Sequence, residues 1–441
     1  MQFHGLSFLF LFLPLFLLAY YGAGRRWQNG ILLLLSGVYY GLLGGWWNLG
    51  VILLFVALTY FLCRLMGVLS RKWLLFGGLT VIFGGLLFFK TAGGGRFLMP
   101  GFSFVSFQLA ACLFRVYQKK MEPERDFISF SAQILMFPKL LAGPLTEPQE
   151  LQRQMRSRKA EPEQIHDGLQ TFLLGLGLKV LLADPVGGIW AQARVAGFGN
   201  ISPVFAWLAL VSFAMALYFD FYGYSVMARG LGTMLGFQLP KNFDTPYLAL
   251  SVGEFYRRWH RSLSLWLREY VYIPLGGSRA GKTRTAVNIL LVWLFSGLWH
   301  GVGGNYLVWA LFLGGMMVLE RFWLGKYLKR KPAFAHIYTV LVILLSWVPF
   351  GMENWKEMGI FLGKLFCLGG KASNPLDFLL VLKSYFWYLF AGAFLAFTDC
   401  KPLWEKLKAH RLGNWAFFAL FWLCISRIAT AAQSTFAYFQ F

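Results

Sequence analysis

The chain has 441 residues, 58% of them hydrophobic and only 14% charged, and its 41 Lys and Arg against 19 Asp and Glu leave a formal charge of +22. A water-soluble domain carries about 25% charged residues, so a soluble fold is excluded, and apolar runs near the ~20 residues needed to cross a bilayer recur from end to end. The cations sit in short connections between those runs, as the positive-inside bias produces, which sets aside nucleic acid and leaves membrane lipids as what they meet.

The expected class is an all-α polytopic membrane protein, one domain over residues 1–441 with no separable soluble part. The opening stretch MQFHGLSFLFLFLPLFLLAYYGAGRR carries its charges, Arg25 and Arg26, after the apolar run, whereas a cleaved signal peptide carries them before it. An uncleaved first span near 7–21 with its N-terminus outside is therefore expected. Further runs fall near 31–44, 49–66, 73–89, 98–116, 168–184, 204–222, 286–302, 305–324, 336–350, 376–398 and 413–430, making roughly a dozen spans. Nearly every basic cluster then lands on the inner face, provided that 127–147 does not cross. Pro138, Gly143, Pro144 and the following Pro148 interrupt that segment, and proline breaks helices, so a re-entrant hairpin buried in protein is expected.

The five cysteines, Cys63, Cys112, Cys367, Cys400 and Cys424, show no CxxC pair and no metal-ligand spacing. Neither a disulfide framework nor a metal is expected. Residues 251–270, SVGEFYRRWHRSLSLWLREY, place Phe255, Trp259, Leu263, Trp266, Leu267 and Tyr270 on one helical face. Arg257, Arg258, Arg261, Ser264 and Arg268 fall opposite, a pattern that predicts an amphipathic helix lying in the membrane interface. Glu254 and Arg258 are spaced to pair at i,i+4, and His260 falls at the boundary of the two faces.

The next stretch, PLGGSRAGKT, satisfies the formula Gly276-x-x-x-x-Gly281-Lys282-Thr283 of a phosphate-binding loop. A working loop of that kind joins a buried strand to a helix. Here it stands between the amphipathic segment and a membrane span, so the match is read as chance within a glycine-rich basic turn. One alternative stays open: Arg279, Lys282 and Arg284 attract the phosphates of a donor such as coenzyme A.

His300, in LFSGLWHGVGGNYLVWA, lies at the far end of the span that begins near Ala286, beside Trp299. Ionisable groups within membrane segments are functional candidates by default, and an imidazole suits general-base work on a hydroxyl. His4, His166, His336 and His410 lie near termini, loops or span ends and are read as structural. Asp220, in LYFDFYGYS, either lines a passage or orients a histidine, or pairs structurally with Arg229 or Tyr224; the structural reading is favoured.

The blocks YFDFYGYSVMARGLGTMLGFQLPKNFDTPY (218–247), SVGEFYRRWHRSLSLWLREYVYIPLGG (251–277) and GLWHG (297–301) resemble the signatures of the membrane-bound O-acyltransferases. The likeness is nearest to the branch that holds the membrane subunit of alginate O-acetyltransferase. GFSFVSFQ (101–108), FPKLLAGPLTEPQEL (137–151), LLSWVPF (344–350) and YFQF (438–441) agree, in the family's order, along essentially the whole chain. The resemblance implies the family's helical membrane fold, with His300 as its catalytic histidine and His260 at its second invariant polar position. Val226, Leu313 and Gly351 stand where relatives carry aspartate, histidine and arginine.

The resemblance further implies acyl transfer from cytoplasmic acetyl-CoA, across the inner membrane, to a hydroxyl of an exported polysaccharide such as alginate. A separate extracytoplasmic acetyltransferase partner goes with that reading. His300 is expected to be the base and His260 to orient donor or intermediate, with Asp220, Trp299, Arg279 and Lys282 as candidate donor-site residues. Two rival readings are D-alanyl transfer to teichoic acid from a carrier-protein thioester, and a transporter without chemistry. Transporters often show inverted repeats, and none is visible in the sequence.

Overall fold

Within a bilayer each backbone N–H and C=O must be satisfied inside its own segment or a closed sheet, and this chain uses helices. A computed structural model describes residues 2–91, 99–159, 161–279, 281–368, 370, 372–410 and 412–430, excepting the side chains of Pro162 and Lys401. Among these residues no strand occurs. The terminal YFQF block lies outside the described residues.

Among the described residues seven helices are long and apolar enough to cross a membrane: Trp46–Val68, Lys72–Thr91, Glu163–Ala196, Pro203–Met234, Gly304–Arg330, Pro332–Gly351 and Asp377–Phe397. They become eight if Pro402–Ala409 and Gly413–Thr430 form one broken span. The protein is therefore a multi-pass membrane protein, with fewer long apolar helices than the dozen apolar runs in its sequence. The reason is visible in Phe102–Tyr117, which is only 16 residues long and buries twelve of them in protein. A helix packed inside protein is as apolar as one facing lipid, so composition alone does not separate the two.

The chain gathers into two compact units. The first comprises the described residues of 2–176, 224–241 and 425–430. It holds the expected re-entrant segment as two helices, Phe127–Leu135 and Phe137–Leu140. Both are far too short to span ~30 Å of hydrocarbon, and residues 130–145 are all buried. The carboxylate of Asp126 opens the segment by accepting from the backbone N–H groups of Ile128 and Ser129, the usual N-cap arrangement. Pro138 occupies the first turn of the four-residue helix, where its missing N–H is tolerated. Arg158 ties this unit together: it donates to the Tyr20 hydroxyl at 2.9 Å and to Asn29 Oδ1 at 2.7 Å, and its guanidinium lies 4.4 Å from the Phe237 ring centroid.

The second unit comprises the described residues of 177–223 and 242–424. Among its buried charges is Lys179, whose ammonium lies 2.6 Å from Asp220 and 2.7 Å from Asp184. Lys179 and Asp220 are 2% and 3% exposed at the side chain, so each charge relies on the other for the solvation that water would give. Every residue of the candidate site belongs to this unit.

Candidate active site

His300 ends the helix Lys282–His300, which turns at Gly301 and runs back as Gly304–Leu319. The two helices approach closely because glycine faces the partner at the contacts. A methyl group on Gly297 would lie 2.9 Å from Ala310 Cβ, and one on Gly314 would lie 3.1 Å from Leu290 Cδ2. Further along the same pair, the Trp293 indole N–H donates to Met317 Sδ at 2.9 Å. Asn305 then fastens the helix Pro332–Gly351 by donating to the Pro349 carbonyl at 3.1 Å.

These contacts enclose the half-buried His300 ring in aromatic edges and faces. Trp299, Trp309 and Phe350 meet it near-perpendicular, with centroids at 4.6, 5.1 and 5.1 Å, while Tyr306 stacks at 6.4 Å and 20°. Gly301 makes room for that stack, since an added Cβ would come within 2.3 Å of Tyr306 Cε2. Its φ of −174° is extended backbone, so the constraint is purely steric. Gly301→Ala is expected to displace the Tyr306 ring and lower kcat roughly 10- to 100-fold, the scale set by small misplacements in an active site. Steady-state kinetics on protein of unchanged elution profile measures this; an unaltered kcat would show that Tyr306 does not position His300.

The segment expected to be a single amphipathic helix at 251–270 is broken. Helices Val252–Arg258 and Arg261–Leu267 meet at Trp259 and His260, and His260 adopts a left-handed backbone with φ 44° and ψ 53°. A non-glycine residue there is strained and needs surrounding structure to hold it. The loop at 242–244 supplies that support: the Asp244 N–H donates to the Arg258 carbonyl at 3.0 Å and the Arg261 N–H to the Asn242 carbonyl at 2.9 Å. The first short helix is fixed at its start by Glu320, whose carboxylate accepts from Val252 N–H at 2.6 Å and Gly253 N–H at 3.1 Å. Glu254 and Arg258 pair at 2.7 Å, as their spacing predicts.

The apolar face of this broken helix packs against protein rather than lipid. Phe255, Trp259, Leu263, Trp266, Leu267 and Tyr270 are all buried. Its polar face and part of its apolar face border a cavity of about 1320 Å³, lined by Arg257, Arg261, Ser264 and Arg268 and by Trp259, Leu263 and Leu267 among others. His260 and His300 both line this cavity, with Trp309, Trp347 and Phe350 nearby. Ile289, Val292, Trp293, Ser296 and His300 form one wall; at 1.5 Å rise per residue that wall runs roughly 16 Å along its helix. The opposite end carries Arg321, Lys326 and Lys329, all exposed, so the cavity opens there. In all, six Lys and Arg side chains face the cavity against two glutamates, Glu254 and Glu320.

His260 itself is buried, and burial, which penalises the charged imidazolium, pushes its pKa down to about 3. The ring is therefore neutral at any physiological pH. Phe221 meets it edge-on at 4.7 Å, and the Trp299 indole lies 6.5 Å away while touching His300 at 4.6 Å. One indole thus stands beside both imidazoles.

Of the other sequence candidates, Trp299 is buried at this contact and is absent from the cavity wall, and Asp220 is held by Lys179. Arg279 is exposed in the turn before the His300 helix, Lys282 is exposed at that helix's first position, and neither lines the cavity. The turn itself is closed by Asn288, whose amide donates to the carbonyls of Leu275 and Gly277 at 3.1 and 2.9 Å, and no strand precedes it. Gly351 stands where an arginine side chain has no room: a Cβ there would lie 2.6 Å from Phe213 Cζ. Among the described residues no group of three His, Cys, Asp or Glu side chains is placed to hold a metal ion. Sequence reasoning missed Asn242, Lys179, Glu320 and Arg321, and it took Lys326 and Lys329 for topology signals only.

Long apolar helices and an interior cavity walled by two histidines define the class: a multi-pass helical membrane enzyme. A family model described as MBOAT, membrane-bound O-acyltransferase family, matches residues 47–348. A probable alginate O-acetylase AlgI of Pseudomonas fluorescens is 35% identical over 393 residues, covering 86% of this chain and 78% of that relative. A peptidoglycan O-acetyltransferase of Helicobacter pylori is 36% identical over 245 residues, covering 52% and 45%. A teichoic acid D-alanyltransferase of Bacillus subtilis is 26% identical over 251 residues, covering 53% and 60%. The chain belongs to the membrane-bound O-acyltransferase family and is an O-acyltransferase.

Proposed function

We propose that the enzyme moves an acetyl group from acetyl-CoA, bound at the basic mouth of the cavity, to an acceptor hydroxyl delivered beside His300. The acceptor is a hydroxyl of an exported polysaccharide, or of an extracytoplasmic partner protein that passes the acetyl group on. The observation that carries this reading is one cavity joining six cationic side chains to two imidazoles. Phosphates of a coenzyme suit the mouth, and a narrow aromatic interior suits an uncharged thioester. The mouth cations belong to the cytoplasmic face of the inner membrane in the positive-inside reading, with the N-terminus outside.

In this account His300 accepts the proton of the acceptor hydroxyl as the oxygen attacks the thioester carbonyl carbon. The resulting oxyanion collapses, the carbon–sulfur bond breaks, and the coenzyme A thiolate leaves with a proton taken from the His300 imidazolium. The new bond is an O-acetyl ester. No charge is created or lost over the cycle, and the imidazole is regenerated.

Purified protein in detergent, supplied separately with acetyl-CoA and with a D-alanyl carrier-protein thioester, tests the donor. Thiol release from acetyl-CoA, with none from the carrier, is expected; turnover of the carrier thioester alone would transfer the enzyme to the D-alanyl reading, and turnover of neither would favour a transporter. The double variant Arg321→Glu/Lys326→Glu is expected to raise KM for acetyl-CoA roughly tenfold and leave kcat nearly unchanged, because charges at a solvated rim act on encounter more than on chemistry. Added salt should raise the wild-type KM in the same direction. A KM insensitive to both would remove the mouth from donor binding.

A further inference from the structure

His260 and His300 line one cavity, and the turn that bears His260 has a buried amide packed against it. Asn242, 1% exposed, turns its side-chain oxygen toward the turn that bears His260. Oδ1 accepts from the backbone N–H of Ser262 at 3.2 Å and from the Ser262 hydroxyl at 2.8 Å, and it lies 3.1 Å from His260 Nδ1. A backbone N–H can only donate, so the atom facing these groups is the amide oxygen and not the NH2. An oxygen without a proton can meet Nδ1 only if Nδ1 carries one.

We propose that Asn242 is a positioning residue that holds His260 as its neutral Nδ1–H tautomer, which makes Nε2 a hydrogen-bond acceptor and not a donor. Which nitrogen of an imidazole bears the proton is set by the bond the other one makes. His260 then steadies a group that has an N–H or O–H to offer: an amide of the donor's arm or the acceptor hydroxyl before its proton moves. It does not stabilise the oxyanion, since that needs a donor. The left-handed backbone at His260, braced by the Arg261-to-Asn242 backbone bond, keeps the ring on the Asn242 side of the break. The identity of the group that Nε2 meets rests on the acetyl-transfer reading; the tautomer does not.

The experiment is magic-angle-spinning 15N spectroscopy of the full chain in lipid, labelled at histidine only. His260 is assigned by its loss in His260→Asn or, should that variant not fold, by its through-space contact with labelled asparagine. A protonated Nδ1 and an unprotonated Nε2 are expected for wild type; a protonated Nε2, or both nitrogens protonated, overturns the proposal without any variant. Asn242→Leu is expected to mix the two tautomers and lower kcat roughly 10- to 100-fold, the usual cost of losing the partner that orients an imidazole. Asn242→Asp, which keeps an acceptor oxygen, is expected to restore the Nδ1–H signal and most of the rate. An unchanged tautomer in Asn242→Leu, or a rate lost equally in Asn242→Asp, contradicts it. Should acetyl-CoA prove not to be the donor while the Nδ1–H signal stands, the donor assignment fails and the role of Asn242 is upheld.

Discussion

His300→Ala is expected to lower the rate of acetyl transfer about 10²- to 10⁴-fold, the contribution a positioned general base makes. The expectation follows from placement. His300 lies on the wall of the cavity, at the end of a helix whose other cavity-facing residues lead back toward the charged mouth. Three rings meet it edge-on and one stacks, which helps hold the imidazole in one orientation. Donor binding at the mouth is remote from this ring, so KM for acetyl-CoA should stay near the wild-type value while kcat falls. That split separates a lost base from a lost binding site. His300→Gln, which keeps size and polarity but has no basic nitrogen, should be as slow as the alanine variant. Thiol release measured on folded protein decides it, and unchanged turnover would remove His300 from the mechanism.

Lys179→Met is expected to be the most destabilising single change in the second unit, by about 3–5 kcal/mol. That is the usual effect of removing one partner from a buried pair and leaving the other charge behind. Asp220→Asn should cost less, because Lys179 keeps Asp184 at 2.7 Å. Activity is expected to follow stability here, since Phe221, next to Asp220, packs on the edge of His260. Thermal unfolding in detergent gives the order directly. Equal midpoints for the two variants, or the reverse order, would show that Lys179 is not the charge the fold depends on.

Much of this molecule can be read from the sequence for simple reasons. A bilayer admits few backbone solutions, so apolar length translates almost directly into the helices Trp46–Val68, Lys72–Thr91 and Asp377–Phe397. Proline spacing marks the re-entrant segment, and the i,i+4 pair of Glu254 and Arg258 forms as expected. What was hidden depends on partners distant in sequence. Hydrophobic periodicity runs unbroken through Trp259 and His260, so it carries no trace of the break there; the break is imposed by a loop eighteen residues earlier, through Asn242. Asp220 shows as a charge inside a span, but nothing local identifies Lys179 as its partner. Lys326 and Lys329 obey the positive-inside pattern, which explains them fully at the level of topology and conceals that, with Arg321 at the end of the preceding apolar run, they border a cavity. The glycine-rich turn misleads in the opposite direction: its pattern matches a phosphate loop, while Asn288 closes it as an ordinary connection between helices.

The account stands on acyl transfer taking place inside the cavity that His260 and His300 share. An electron cryo-microscopy reconstruction of the full chain with a non-hydrolysable acetyl-CoA analogue tests this most directly. The expected map has the nucleotide among Arg257, Arg321, Lys326 and Lys329, the pantetheine arm following the wall from Ile289 to Ser296, and the acetyl group close enough to His300 for an acceptor hydroxyl to sit between them at roughly 2.6–3.2 Å from the imidazole. Density for the analogue anywhere else, or a bound thioester walled off from His300 by the Trp299 and Trp309 rings, would contradict it.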